Sequence, residues 1–438
     1  MAVSTNRFTT LAILSCLAAA PAQGGAASPP PSARAAEHVH GTDAHTGPPR
    51  APDTVRGPDA AASLTPTATF DAAGTLFVVF VEGTRVYVTS SPDLGRTFTP
   101  AAVVNPEPEA VDANGEARPK IAAGPKGEIY VSYTHKLEKP YTGDVRFSRS
   151  TDGGRTFAAP RTVNDDGLVT GHRFDALAVS PAGDVHVFWI DKRDLERAAA
   201  RQEAYEGAAL YTAVSTDRGG TFSANRKLKD HICECCRLAV AWQGGEAVLF
   251  WRDLMEGGVR DHALARLTGD GIAATQRATE DGWQIQGCPH HGPSFAIGPE
   301  GTLHLAWFTG DGTLGKGTFY RRSTDGGRTF SAPHRLGTEG ATTGRPQVLT
   351  AAGAVWLSWR EALDDDISVV YAARSTDAGA TWSPRREIAR TQGENDHPLL
   401  IARGDEAYLS WFTRREGYRV LAVDAAPSAA AAVPSAEP

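Results

Sequence analysis

"STDGGRTF", residues 150–157, returns letter for letter at residues 323–330. Three near-copies accompany the pair: "SPDLGRTF" from Ser91, "STDRGGTF" from Ser215 and "STDAGATW" from Ser375. An extended run such as "VRFSRS" or "LYTAVS" leads into each, so the Ser–x–Asp–x–Gly core falls on a hairpin tip. There the carboxylate can accept turn N–H groups, and the glycine supplies a left-handed backbone position. The closing Phe or Trp is placed to pack on a neighbouring sheet. Asp93, Asp152, Asp217, Asp325 and Asp377 are therefore read as turn-forming, not catalytic.

These aspartates are 59, 65, 108 and 52 residues apart, and the 108 gap is two periods, with "LTGDGIAA" around Asp270 where a decayed copy belongs. A period of this length with a hairpin in every unit means radial repetition of small sheets. The motif resembles the Asp box, or BNR repeat, of sialidase-like β-propellers, and the resemblance covers nearly all of residues 60–424. An all-β propeller of four-stranded antiparallel blades is expected. Units start near Ser63, Arg118, Arg173, Arg237, Pro293, Arg345 and Pro398, which gives seven blades, with six and a stray hairpin as the alternative. The seventh unit has no box and no outer strand, so residues upstream of Ala60 are expected to donate the closing strand.

Composition agrees with many short strands: 45 glycines, 28 prolines and 9 tryptophans in 438 residues, with only 2 methionines. A net charge of −7 excludes a basic nucleic-acid-binding domain. At the N-terminus, Arg7 precedes the apolar "FTTLAILSCLAAAPA", with a small-x-small cleavage site at Ala20–Ala22. Residues 1–22 read as an export signal, to the periplasm or beyond the cell. A lipoprotein signal anchored at Cys16 is the competing reading. Residues 23–59, rich in Ala, Pro, Gly and Ser, read as a flexible tether, and 425–438 as a disordered tail. No segment is apolar for long enough to be a transmembrane helix.

In an antiparallel propeller the loops leading into the inner strands share one face, opposite the boxes. There the sequence places Arg118, His172, Arg173, Arg237, His290 with His291, Arg345 and His397, a basic side chain for each of blades two to seven. The loops after the second strands add Asp191, Arg193 and Asp194, then Arg252 and Asp253, then Arg360 and Glu361. Either these charges pin the loops in pairs, or a basic ring around the opening takes a small anionic ligand or glycan.

Four of the five cysteines gather on the same face. "DHICECCRLAVAW" carries Cys233, Cys235 and Cys236 into blade four, and "GCPHHGPSFAIG" carries Cys288, His290 and His291 into blade five. Disulfides suit an oxidising compartment. Thiolates with imidazoles, His231 included, suit a soft metal, copper or zinc. His38, His40 and His45 of the tether also bear on a metal. Both readings bring the two clusters together.

The sialidase resemblance implies a carboxylate-clamping arginine triad, a tyrosine nucleophile paired with a glutamate, and an acid. Arg118, Arg237 and Arg345 match the triad by position, and Tyr418 with Glu416 is the remaining candidate pair. The family's early Arg-Ile-Pro element has no counterpart in "SLTPTATF", so catalysis is not expected from these residues. Three classes stay open: a propeller binding an anion or a soft metal, a glycoside hydrolase of the exo-sialidase type, and a protein-interaction scaffold.

Overall fold

The computed structural model describes residues 47–424 apart from Asp270, Asp364 and Asp365. The expected signal with Cys16, most of the tether with its histidines, the tail and the aspartate of the decayed box lie outside the described residues. Seven antiparallel sheets follow one another along the chain. The first comprises Leu64–Phe70, Leu76–Glu82, Arg85–Ser91 and Ala102–Val103, and the others begin at Lys120, His172, Ala239, Ser294, Thr342 and Leu399. Each innermost strand touches the next, and the first touches the seventh, so the ring closes into a seven-bladed β-propeller.

The second strands are continuous apolar runs because neighbouring blades cover both of their faces. Leu76–Glu82, Val185–Asp191 and Leu303–Thr309 are buried at every position. No central core exists in such a ring. Seven apolar clusters fill the seven seams instead. The seam of blades three and four holds Cys233, Cys235 and Cys236 beside Phe174, Trp251 and Leu238.

All five boxes share one hydrogen-bond scheme. In the box at Asp325, Ser323 Oγ donates to the carboxylate at 2.8 Å, and Thr329 N and Oγ1 donate to its two oxygens at 2.9 and 2.6 Å. Gly327 N in turn donates to Ser323 Oγ. These local donors hold the box carboxylates below the usual range, Asp93 among them. The closing aromatics enter the preceding seam: Phe222 meets Phe147 edge-on at 4.8 Å, and Trp382 meets Tyr320 at 4.9 Å. The glycine is needed for the same contact, since a Cβ on Gly379 (φ +79) would stand 2.0 Å from the Tyr320 hydroxyl.

The seventh blade differs from expectation. It has three strands, Leu399–Arg403, Glu406–Thr413 and Gly417–Ala422, and among the described residues nothing upstream of Ala60 adds a fourth. Prolines at 48, 49, 52 and 58 remove the N–H groups that a ladder needs. The segment closes the ring by packing. Val55 is fully buried in the seam of blades one and seven with Tyr418 and Val420, and its carbonyl accepts from Ala101 N at 3.0 Å. Arg414 adds hydrogen bonds to the Ala60 and Ser63 carbonyls at 2.8 and 2.9 Å.

Candidate functional site

The loop ahead of blade two crosses the funnel and carries a residue that the basic pattern concealed, Glu116. Its Oε1 accepts from Arg237 at 2.9 Å and Arg345 at 3.2 Å, and its Oε2 accepts from Gly292 N at 3.0 Å. His397 Nδ1 stands 4.0 Å away. One buried carboxylate thus meets residues of blades four, five, six and seven. Arg118, also buried, pairs with Asp396 ahead of blade seven. Close packing demands glycine here too: a Cβ on Gly115 would lie 2.1 Å from His397 Nε2.

Arg345 reaches this point from a bulge between Gly344 and Gln347, with φ +55, a conformation that costs a non-glycine residue about 1–2 kcal/mol. Burial lowers its pKa to about 10, and Glu116 opposes that shift, so the group stays charged at neutral pH. Burial first, then Arg345, Arg118, Arg237 and Arg360, hold His397 well below the usual histidine range, so it is neutral. Four guanidinium groups therefore face two carboxylates, Glu116 and Asp396. Arg118 Nε and Nη1 and Arg345 Nε are buried without a hydrogen-bond partner among the described residues.

The other basic and acidic residues singled out from the sequence are committed within their own surroundings. Arg173 pairs with Asp112 through Nε at 2.9 Å. His172 is buried between the Gly143 carbonyl and Asp166, and that hydrogen bond with the Asp191 charge raises its pKa against the effect of burial. Arg193 joins Asp191, Asp165 and Asp166. Arg252 donates to the carbonyls of Arg260, His291 and Phe308. Asp253 and Glu361 accept the indole N–H of Trp251 and Trp359 at 3.2 and 2.9 Å, and Arg360 donates to Asn395. The signal for Glu116 and Asp396 was present in "EARPK" and "NDHPLL", where each acid stands next to, or two before, a predicted cation.

The two cysteine clusters meet. The Sγ atoms of Cys233, Cys235 and Cys236 lie within 4.8 Å of one another, and so do the ligand atoms of Cys235, Cys288 and His290. The Cys233–Cys236 and Cys235–Cys236 sulfur separations are both 3.9 Å, and all four are free thiols. Cys233, Cys235 and Cys236 are buried and Cys288 is exposed. His290 is bent into place with φ +50. Hydrogen bonds with Cys235 and Cys236 hold Cys233 well below the usual thiol range, while burial and then hydrogen bonds with the other three thiols push Cys235 well above it. Hydrogen bonds from Cys235 and then His290 draw Cys288 down to about 5. His291 turns away and stacks on Phe308 at 4.0 Å, and His231 bonds the Glu206 carbonyl.

The remaining sialidase-like pair does not assemble. Tyr418 is half-buried with its hydroxyl 3.0 Å from Ser410 Oγ, while Glu416 is held by Thr391 and Thr413. No described protein family matches the sequence, and no curated protein matches it. Solved structures do match in fold. An ulvan lyase of a polysaccharide lyase family superposes with a TM-score of 0.55 at 11% identity, covering 84% of this chain and 96% of that one. A Hadza microbial sialidase gives 0.46 at 16%, over 77% and 73%. The α-L-arabinofuranosidase of Fusarium graminearum with arabinobiose gives 0.49 at 15%, over 72% and 96%. At these identities the likeness is one of fold, a β-propeller. Among the described residues no helix is long and apolar enough to cross a membrane.

Proposed function

We propose that this chain is an exported propeller that binds a soft metal ion, cuprous copper or zinc, at the junction of blades three, four and five. The observation that carries this reading is the convergence of four thiols and an imidazole from two separate loops. A tetrahedral ion with metal–sulfur bonds of ~2.3 Å holds its sulfurs about 3.8 Å apart. Two sulfur pairs here already stand at 3.9 Å. The apolar seam around them excludes water and hard oxygen donors, which favours a soft ion over calcium or magnesium. Thiol titration of the denatured, unreduced protein, paired with elemental analysis of the native protein, tests it. Four reactive thiols besides Cys16, with bound copper or zinc, support the site. Two cystines and no metal overturn it and leave a covalent brace between the two loops.

A second reading rests on the funnel, where four guanidinium groups face only two carboxylates. That surplus, on a fold shared with an ulvan lyase, suits an anionic sugar. Glycan-array binding that is lost in Arg345→Ala would support it. Among the described residues no complete set of acid, nucleophile and clamp is assembled, so hydrolysis of a fluorogenic sialoside is expected to be negligible.

A further inference from the structure

The five ligand groups do not form one set. They fall into two triads, Cys233–Cys235–Cys236 and Cys235–Cys288–His290, each with its ligand atoms within 4.8 Å, and Cys235 belongs to both. Ligands of a single ion at ~2.3 Å stand no more than about 4.6 Å apart, even on opposite sides of it. The five do not all lie within 4.8 Å of one another, whereas each triad does, close to the span of one ion. A thiolate sulfur has lone pairs enough to bridge two soft ions, and imidazole completes the outer set.

Building on the metal-binding reading, we propose that the site is dinuclear, with two cuprous ions bridged by the Cys235 sulfur. The inner ion is held by Cys233, Cys235 and Cys236, all three buried. The outer ion is held by Cys235, Cys288 and His290, and only this position has an exposed ligand, Cys288. Copper therefore arrives at and leaves from the outer position, and the inner position is reached through the shared sulfur. Ligand exchange along that path moves an ion from one triad to the other without a redox step, because the bonds broken to one sulfur set are replaced by bonds to the next.

The two positions also differ in what holds them in place. The inner triad is fixed by a run of four residues at the end of one loop, inside the seam of blades three and four. The outer triad joins that loop to the one before blade five, where His290 adopts φ +50 and its neighbour His291 is stacked on Phe308. Loss of the outer ion can loosen one loop, while the inner ion is tied into the apolar seam.

Anaerobic titration of the reduced full chain with cuprous ion, buffered by bicinchoninate, tests this together with X-ray absorption at the copper edge. The expected result is two copper ions per chain with a copper–copper scattering path. Cys288→Ser, at an exposed position that should not disturb folding, should retain one ion and lose the copper–copper path. Circular dichroism of each variant verifies that the propeller is folded. One ion per wild-type chain overturns the dinuclear site while leaving metal binding intact, and no ion overturns both readings. Two ions in both wild type and Cys288→Ser refute the outer ligand set. Binding of zinc alone, one per chain and no copper pair, also refutes the proposal.

Discussion

The two faces of the propeller handle charge in opposite ways. On the box face each box carboxylate is satisfied within four residues of itself, five times over, by serine, threonine and turn N–H groups. On the funnel face the pairs span the chain: Arg237 with Glu116 across 121 positions, Arg345 with Glu116 across 229, and Arg118 with Asp396 across 278. A box is a turn that carries its own partners. The funnel is a set of partners that exists only once the ring is closed. The same acidic side chain is therefore a local device on one face and an inter-blade tie on the other.

The sharpest way to break this contrast is to delete the tie. Glu116→Ala leaves the half-buried Arg237 and Arg345 without their carboxylate and the Gly292 N–H without its acceptor, although Arg345 keeps the His290 carbonyl, a loss of about 3 kcal/mol. Urea unfolding measures it, and acetate should partly restore stability by taking the vacated position. A double-mutant cycle of Glu116→Ala with Arg345→Ala should be strongly non-additive, whereas Asp152→Ala with Asp325→Ala should be additive. Additivity in both pairs would erase the distinction between the faces.

On the box face the largest effect should come from the glycine that lets the box into the neighbouring seam, not from its aspartate. Gly379→Ala combines a left-handed backbone with a Cβ 2.0 Å from the Tyr320 hydroxyl and should cost on the order of 2 kcal/mol. An aspartate substitution in the same box should lower the melting temperature less. The reverse order would mean that the boxes act through charge after all.

Asp281 sharpens the comparison from another side, as a buried carboxyl in the loop ahead of blade five with no ion-pair partner among the described residues. Trp307 Nε1 donates to Oδ2 at 2.7 Å, and Oδ1 has no hydrogen-bond partner among the described residues. Burial pushes its pKa up to about 6. The folded state then holds a proton that the unfolded chain releases near pH 4, so this contribution is complete below pH 4 and is lost as pH rises through 6. Asp281→Asn should accordingly stabilise the protein by about 2 kcal/mol at pH 8 and by nearly nothing at pH 4. Melting curves across that range check it, and an effect independent of pH would contradict the assignment.

The smallest expected effect concerns local strain in one box. The position after the aspartate is left-handed in all five, with glycine at 153 and 326 but leucine, arginine and alanine at Leu94, Arg218 and Ala378. Ala378→Gly (φ +53) should be stabilising by about 0.5–1 kcal/mol, since relief of the backbone strain exceeds the added chain entropy. Differential scanning calorimetry can resolve a change of that size, and a destabilisation would show that the alanine methyl has a packing role.

The sequence by itself determined the propeller architecture, with seven blades or six, the strand order within blades, the box turns and the meeting of the two cysteine loops. Each of those follows from period-2 patterning, turn chemistry inside eight residues, or the rule that consecutive blades are neighbours. Only the tertiary structure decided which side chain of a loop turns inward. His290 joins Cys288 while His291 stacks on Phe308, and Glu116, inconspicuous in "EARPK", becomes the acceptor at the funnel's centre. It also decided how the ring closes, through Val55 and a packed seam in place of the expected strand. Contacts between residues hundreds of positions apart depend on the radius and twist of the whole ring, and no local pattern in the chain encodes those distances.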